Sequence, residues 1–187
     1  TEPGVRRAIR NDFKAVNQFF DRVVSLASMG HPLDKIELLI LGGTWSCYEK
    51  SYQRNVIRDY FYSANVLQDY ISVNHDLSML REKMSMEEEI KLNETTKHCI
   101  IGVTVETRPD QINPEELIWY RKMGVTRVQL GIQHTDDTIL RKVNRGCYLK
   151  HTKYAIKLLK DCCFKIGNHI MPDLPYATPQ KDLDMFN

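Results

Sequence analysis

The sequence predicts an α/β chain in which parallel strands alternate with helices, forming a barrel or sheet with one ligand site at one end. Three observations predict it. Residues 35–44, KIELLILGGT, carry five apolar side chains (Ile36, Leu38, Leu39, Ile40 and Leu41, with Glu37 interrupting) straight into two glycines. Such a run reads as a strand covered on both faces, after which glycine lets the backbone turn sharply and expose bare N–H and C=O groups. Residues 99–109 (CIIGVTVETRP), 127–133 (RVQLGIQ) and 165–175 (KIGNHIMPDLP) repeat the pattern, each an apolar strand finishing in polar residues or a proline. Finally, helical periodicity fills the intervals between strands, which makes each crossover right-handed.

The elements follow in order. Glu2-Pro3-Gly4 reads as a turn, followed by the basic cluster Arg6, Arg7, Arg10 and Lys14. Over residues 12–29 the apolar positions Phe13, Val16, Phe19, Phe20, Val23, Val24 and Leu26 fall largely at three- and four-residue spacing. That is an amphipathic helix, closed by Gly30 with Pro32 beyond. A second helical pattern runs over residues 49–70, with Tyr60, Phe61, Tyr62, Val66 and Leu67 on its buried side. Residues 72–86 lose all periodicity at Asn74, His75, Asp76 and Ser78, and are expected to form a flexible inserted loop. A polar helix over 87–96 leads into the second strand. Asn113-Pro114-Glu115-Glu116 starts the next helix, with Pro at its first position and acids in its first turn. Asp136 caps a short helix to about Val143, Asn144-Arg145-Gly146 makes a turn, and residues 152–162 form a further helix before the fourth strand. A last helix covers 179–186.

Composition narrows the classes. A chain of 187 residues suits one domain, and 42% hydrophobic with 27% charged residues is ordinary for a soluble protein. A net charge of +2 is too small to imply nucleic acid by itself, so any RNA site must be a local patch. No apolar run approaches the roughly 20 residues that span a bilayer, and TEPGVRRAIR does not read as a signal peptide. Cys47, Cys99, Cys147, Cys162 and Cys163 are odd in number and irregularly spaced, which favours a reducing, cytoplasmic compartment over a disulfide framework. Packing in the core is the expected role of Cys47 and of the Cys162-Cys163 pair.

Singly, the strand-end motifs are weak: a Gly-Gly after a strand more often packs a turn than holds a ligand, and a lone Glu such as Glu106 is usually solvated. As an ordered set, GGT, ETRPD, GIQ, NRG and HIMPDLP resemble the radical S-adenosylmethionine enzymes. More narrowly, EPGVRRAIR, GHPLDKIELLILGGT, IGVTVETRPD, VTRVQLGIQ, VNRG and HIMPDLP resemble the Elongator catalytic-subunit family, which modifies wobble uridines of tRNA. The resemblance implies a partial TIM-like (β/α)6 barrel whose first and last strands, and a following acetyltransferase domain, lie outside these residues. It also implies roles. Gly42, Gly43 and Thr44 match the turn that receives the methionine amino group, and Glu106 the carboxylate that meets the ammonium or ribose hydroxyls of S-adenosylmethionine. Gln133, Arg145 and His169 match further contacts to that cofactor, Arg145 being suited to a carboxylate through its paired donors. Lys35 matches a lysine associated with acetyl-coenzyme A, and Arg6, Arg7 and Arg10 a basic segment facing tRNA phosphates. The bland readings are a helix cap for Arg145, a core position for His169, and solvated positions for Lys35 and the arginines.

The family binds a four-iron (4Fe-4S) cluster through three closely spaced cysteines. No such trio occurs here, so the cluster ligands are expected upstream, no metal site within this chain, and no catalysis from it unaided. The outer strands of a four-stranded sheet are also expected to lack partners. In the intact protein the resemblance implies that a 5′-deoxyadenosyl radical abstracts hydrogen from acetyl-coenzyme A, and the carbon radical adds to C5 of the uridine. The partners are then tRNA and further Elongator subunits. Two other readings stay open: a catalytically inert tRNA-binding scaffold, and an enzyme like the oxygen-independent coproporphyrinogen dehydrogenases, against which ETRPD and MPDLP speak.

Overall fold

The strands lie where the apolar runs predict them. The computed structural model describes Glu2–Phe186. In chain order it forms α1 (Pro3–Arg10), α2 (Ala15–Ser28), β1 (Lys35–Ile40), α3 (Lys50–Asn65), α4 (Leu67–Ser72), α5 (Met86–Asn93) and β2 (Cys99–Thr107). Then come α6 (Pro114–Lys122), β3 (Arg127–Gln133), α7 (Asp137–Lys142), α8 (Leu149–Asp161), β4 (Lys165–Ile170) and α9 (Pro179–Asp184). The strand order is β1-β2-β3-β4, and β2–β3 and β3–β4 pair in parallel. Among the described residues, no helix is long and apolar enough to cross a membrane.

The chain divides into two compact units. The first takes the described residues up to Leu38 together with Glu49–Gly102; the second takes Leu39–Tyr48 together with the described residues from Val103 onward.

In the first unit, the three-and-four spacing of α2 buries Phe19, Phe20 and Val23 against Tyr62, Ala64, Val66 and Leu67. The Phe20 ring stacks on Tyr70 at 3.8 Å. Pro3–Arg10 form a helix rather than a turn and a loose cluster, because Pro3 sits at the first helical position, where its missing N–H costs nothing. No side chain of α1 is buried. Asp12 and Phe13 take left-handed φ values of 51° and 57°, so α2 starts at Ala15 and not at residue 12. The helix predicted over 49–70 is broken at Val66, whose ψ of 7° divides α3 from α4.

Residues 72–86 carry a 3-10 turn at Leu77–Met79, with Asp76 accepting the Ser78 N–H. Both Arg81 NH groups donate to Glu89, at 2.7 Å each. The Tyr62 hydroxyl donates to the Arg81 carbonyl at 2.7 Å. Ser85 and Glu88 then form a capping box that starts α5.

In the second unit, β3 buries Val128, Leu130 and Ile132, and the end of β2 buries Val103 and Val105. Leu117, Tyr120 and Met123 of the α6 region and Ala155 and Leu159 of α8 complete that core. Asn113 caps α6 through the Glu116 N–H, as the Asn-Pro-Glu-Glu start predicts. Residues 149–151 extend α8 one turn earlier than periodicity suggests, and the Tyr148 N–H donates to His151 Nδ1 at 3.0 Å.

Three further expectations fail. No β1 residue is buried: exposed and half-buried positions alternate, with Leu39 53% exposed, and Leu41 just past the strand is 51% exposed. An apolar run reports a strand, but this strand ends the sheet order and is not covered on both faces. Cys162 and Cys163 are exposed rather than core thiols, because the chain leaves α8 there and Cys163 turns to a left-handed φ of 59°. Cys47 is exposed too.

Candidate functional site

At the end of β1 the chain enters Gly42, whose φ of +112° excludes other side chains. Among the described residues, a Cβ built on Gly42 or Gly43 would meet nothing within 4 Å, so open space borders this backbone. The Gly42 N–H donates to Glu106 Oε2 at 2.9 Å. The other carboxylate oxygen accepts from His169 Nδ1 at 3.1 Å. Glu106 stands near the C-terminal end of β2, and His169 lies on β4 opposite Gly131 of β3. Three strand ends thus present one carboxylate, half-buried and oriented from both sides.

A second group adjoins through that register. Arg145, in the turn after α7, donates to the Gly131 carbonyl at 2.7 Å. Gln133 has a φ of 73° at a break in the β3–β4 register, which turns it out of the regular ladder. A Cβ on Gly131 would lie 3.1 Å from an Arg145 NH and 3.2 Å from Gln133 Nε2, so the glycine makes room for both side chains. Among the described residues, the buried Arg145 Nε has no hydrogen-bond partner.

The support is polar and was not legible in sequence. Ser46 Oγ lies 2.8 Å from both Thr107 Oγ1 and the Tyr120 hydroxyl, tying the segment after Gly43 to the end of β2. Burial pushes the Tyr120 phenol well above its usual value, so it stays neutral in this cluster. Arg108 of ETRPD grips Asp110 through two bonds of 2.9 Å. Burial works to raise the Asp110 carboxyl, but the Arg108 bonds and charge outweigh it and hold it low. Beyond β4, Lys181 donates to Asp136 at 2.7 Å, and Asp182 lies 3.3 Å from buried His134 and accepts the Asp173 N–H. The hydrogen bond from Lys181, followed by that from Thr138, holds the Asp136 carboxyl far below its usual range. Together they fasten α9 to the residues that follow Gln133.

The predicted site residues fall into two sets. Gly42, Glu106 and His169 are in direct contact, and Gln133 and Arg145 converge on Gly131. Gly43 follows beside open space, and the Thr44 carbonyl accepts the Cys47 N–H at 3.0 Å. Lys35, by contrast, opens β1 and is exposed, and Arg6, Arg7 and Arg10 lie on α1, all in the first unit.

The family profile described as the Radical SAM superfamily matches residues 21–186. The chain belongs to the radical SAM superfamily. It is 37% identical over 185 residues to a tRNA uridine(34) acetyltransferase of Methanocaldococcus infernus, covering 99% of this chain and 32% of that protein. It is 35% identical to the tRNA uridine(34) acetyltransferase of Dehalococcoides mccartyi, covering 97% of this chain and 36% of the other. With Elongator complex protein 3 of Drosophila melanogaster the identity is 32%, over 99% of this chain and 31% of the relative. Among solved structures, an archaeal Methanocaldococcus infernus Elp3 with an N-terminal deletion superposes with a TM-score of 0.85 at 36% identity. All of this chain and 39% of that one are covered. This radical SAM chain therefore spans about a third of the length of the curated relatives it matches. Its α/β fold with parallel strands is the partial TIM-like barrel of the superfamily.

Superfamily membership brings S-adenosylmethionine and a four-iron cluster as cofactors. The first fits the residues present: open backbone at Gly42 and Gly43, an oriented carboxylate for an ammonium or hydroxyls, and the orphaned Arg145 Nε for a carboxylate. The second does not. Among the described residues no group of three His, Cys, Asp or Glu side chains could hold a metal ion.

In this radical SAM chain Gly131→Ala is expected to cost no more than about 1 kcal/mol of stability, because its new Cβ meets only the tips of two flexible side chains. It displaces Arg145 and Gln133, so S-adenosylmethionine binding should weaken several-fold. Equilibrium dialysis beside a thermal melt checks both halves; unchanged affinity would mean that neither side chain touches the cofactor.

Proposed function

We propose that this chain is the S-adenosylmethionine-binding portion of an enzyme that carboxymethylates C5 of the wobble uridine of tRNA, with acetyl-coenzyme A as co-substrate. The observation that carries the reading is the Gly42–Glu106–His169 contact, lying in a superfamily chain that aligns almost end to end with tRNA uridine(34) acetyltransferases. The names of the relatives favour this substrate over a porphyrin and over an inert scaffold.

In this reading Gly42, Gly43 and Thr44 offer backbone acceptors to the methionine ammonium. Glu106, held by the Gly42 N–H and His169, takes the ammonium or the ribose hydroxyls. The Arg145 Nε and the Gln133 amide complete the grip. When bound, S-adenosylmethionine supplies the radical chemistry, and the chain binds, orients and shields it. Lys35 serves acetyl-coenzyme A, and Arg6, Arg7 and Arg10 face tRNA phosphates. The cluster's ligands, the acetyltransferase portion and any Elongator-type subunits belong to the rest of a cytoplasmic assembly.

The test uses the whole polypeptide with its cluster reconstituted anaerobically. Incubated with tRNA, S-adenosylmethionine and acetyl-coenzyme A, it should yield carboxymethylated uridine in the nucleoside mass spectrum. Cofactor consumption with unaltered uridine would overturn the reading.

A further inference from the structure

A run of three concavities in the first unit is unused by the cofactor site. One, of about 270 Å³, is lined by Arg6, Arg7, Arg10 and Arg22, where α1 lies along α2. A second, of about 320 Å³, shares Arg10 and Asp21 with it and continues over Asn17 and Leu77. The third, of about 420 Å³, shares Asn17 and Leu77 in turn, and Phe13, Tyr52, Lys14 and Lys83 stand in its wall. The shared residues make one groove, with arginines at one end and aromatic rings with lysines at the other.

Its charge is one-sided. Across the arginine and aromatic ends, six cationic side chains meet two carboxylates, in a chain whose net charge is only +2. Both carboxylates are already engaged. Asp21 accepts from Arg10 at 2.6 Å and from Asn11 at 2.8 Å, and those bonds hold its carboxyl low. Asp59 is paired with Arg58 at 2.9 Å and Lys83 at 3.0 Å. Among the described residues, Arg6, Arg7 and Arg22 have no salt bridge to answer them.

The aromatic end is built to present a ring. Phe13 is 67% exposed on a left-handed backbone, fixed by its N–H donating to the Ala8 carbonyl at 2.8 Å. A bulky apolar residue held in a strained conformation and turned to solvent needs a reason beyond packing. A positive channel with exposed aromatic faces is the arrangement that takes a single strand: phosphates go to the cations and unpaired bases stack on the rings. A duplex would leave the rings idle, since its bases are already stacked.

We infer that this groove binds an unpaired stretch of RNA, its phosphates in the arginine cavity and a base against Phe13 and Tyr52. The inference rests on the tRNA reading above and narrows it to a single-stranded segment and to residues that include Arg22, Phe13 and Tyr52.

Fluorescence anisotropy on the 187-residue chain tests it, using a short labelled single-stranded RNA, a duplex of the same composition, a tRNA, and polyglutamate as competitor. The single strand should bind at least about tenfold tighter than the duplex, and Phe13→Leu should weaken it by about tenfold. Arg7→Gln and Arg22→Gln should each lower the salt slope by about 0.7. Circular dichroism melts confirm that each variant folds; Tyr52→Leu replaces Phe13→Leu should the latter not. Binding of tRNA that none of these variants alters overturns the groove and leaves the tRNA reading standing. Equal affinity for duplex, or displacement by polyglutamate as effective as by RNA, overturns it too. Failure of every RNA to bind at low salt removes the groove and tRNA binding by this chain together.

Discussion

Replacing Arg81 with methionine will destabilise the first unit by about 3 kcal/mol, a large part of what holds a small domain together. Glu89 is fully buried, with a side-chain exposure of 0%, and both its oxygens accept from the Arg81 guanidinium. Methionine keeps much of the bulk and strands the carboxylate, leaving it only Asn65 and the Met84 N–H as donors. The Arg81 side chain is itself 33% exposed, so solvent screening places the loss at the low end of the range for broken buried pairs. The measurement is urea unfolding, with a fall in midpoint at constant slope. The pH dependence follows from the same contact. Burial works to raise the Glu89 carboxyl, but the bonds from Arg81, Met84 and Asn65 outweigh it and hold the group below its usual value. A depressed folded value contributes stability that is complete above the unfolded carboxylate range and disappears as pH falls through the folded value. The native chain should therefore lose stability on acidification more steeply than Arg81→Met. Matching acid profiles would show that the pair does not hold the unit.

Glu106→Gln will weaken S-adenosylmethionine binding by roughly 10- to 150-fold, the range of a lost charge-assisted hydrogen bond. The substitution is chosen for what it preserves. The glutamine carbonyl can still accept the Gly42 N–H that Glu106 now accepts at 2.9 Å, so the turn has no cause to collapse. What disappears is the negative charge offered to an ammonium and one acceptor for His169. Equilibrium dialysis of labelled cofactor gives the ratio directly, with a melt to show that the fold is intact. Wild-type affinity in the glutamine variant would exclude the carboxylate from the cofactor contact and with it the site as drawn.

Much of the site could be read from residues because parallel strands gather their C-terminal ends, and the unusual residues all sat there. Gly42 and Gly43 read as a turn that only glycine makes easily, whereas Glu106, Gln133 and His169 were singled out by the family resemblance, since a lone polar residue at a strand end usually reads as solvated or core. The Ser46–Thr107–Tyr120 cluster carried no signal: a serine, a threonine and a tyrosine in separate segments have no spacing to betray them. Arg22 was hidden inside a helix already explained by its apolar face. α1 was read as a turn and a basic cluster because eight residues rich in arginine, after a glutamate and around a glycine, show no apolar period long enough to count. Cys162 and Cys163 were misplaced because a thiol at a helix end reads the same whether the chain turns inward or out.

The order of the four strands, the two glycines after the first strand and the polar residues closing the others were settled by the sequence alone. These depend on neighbours a few positions apart, where side-chain period and backbone freedom decide. Which of those residues touch was decided by tertiary structure. Gly42 and Glu106 are separated by 64 positions, and Glu106 and His169 by 63. Their contacts follow from the strand order and register, which align chain segments that no local propensity can relate.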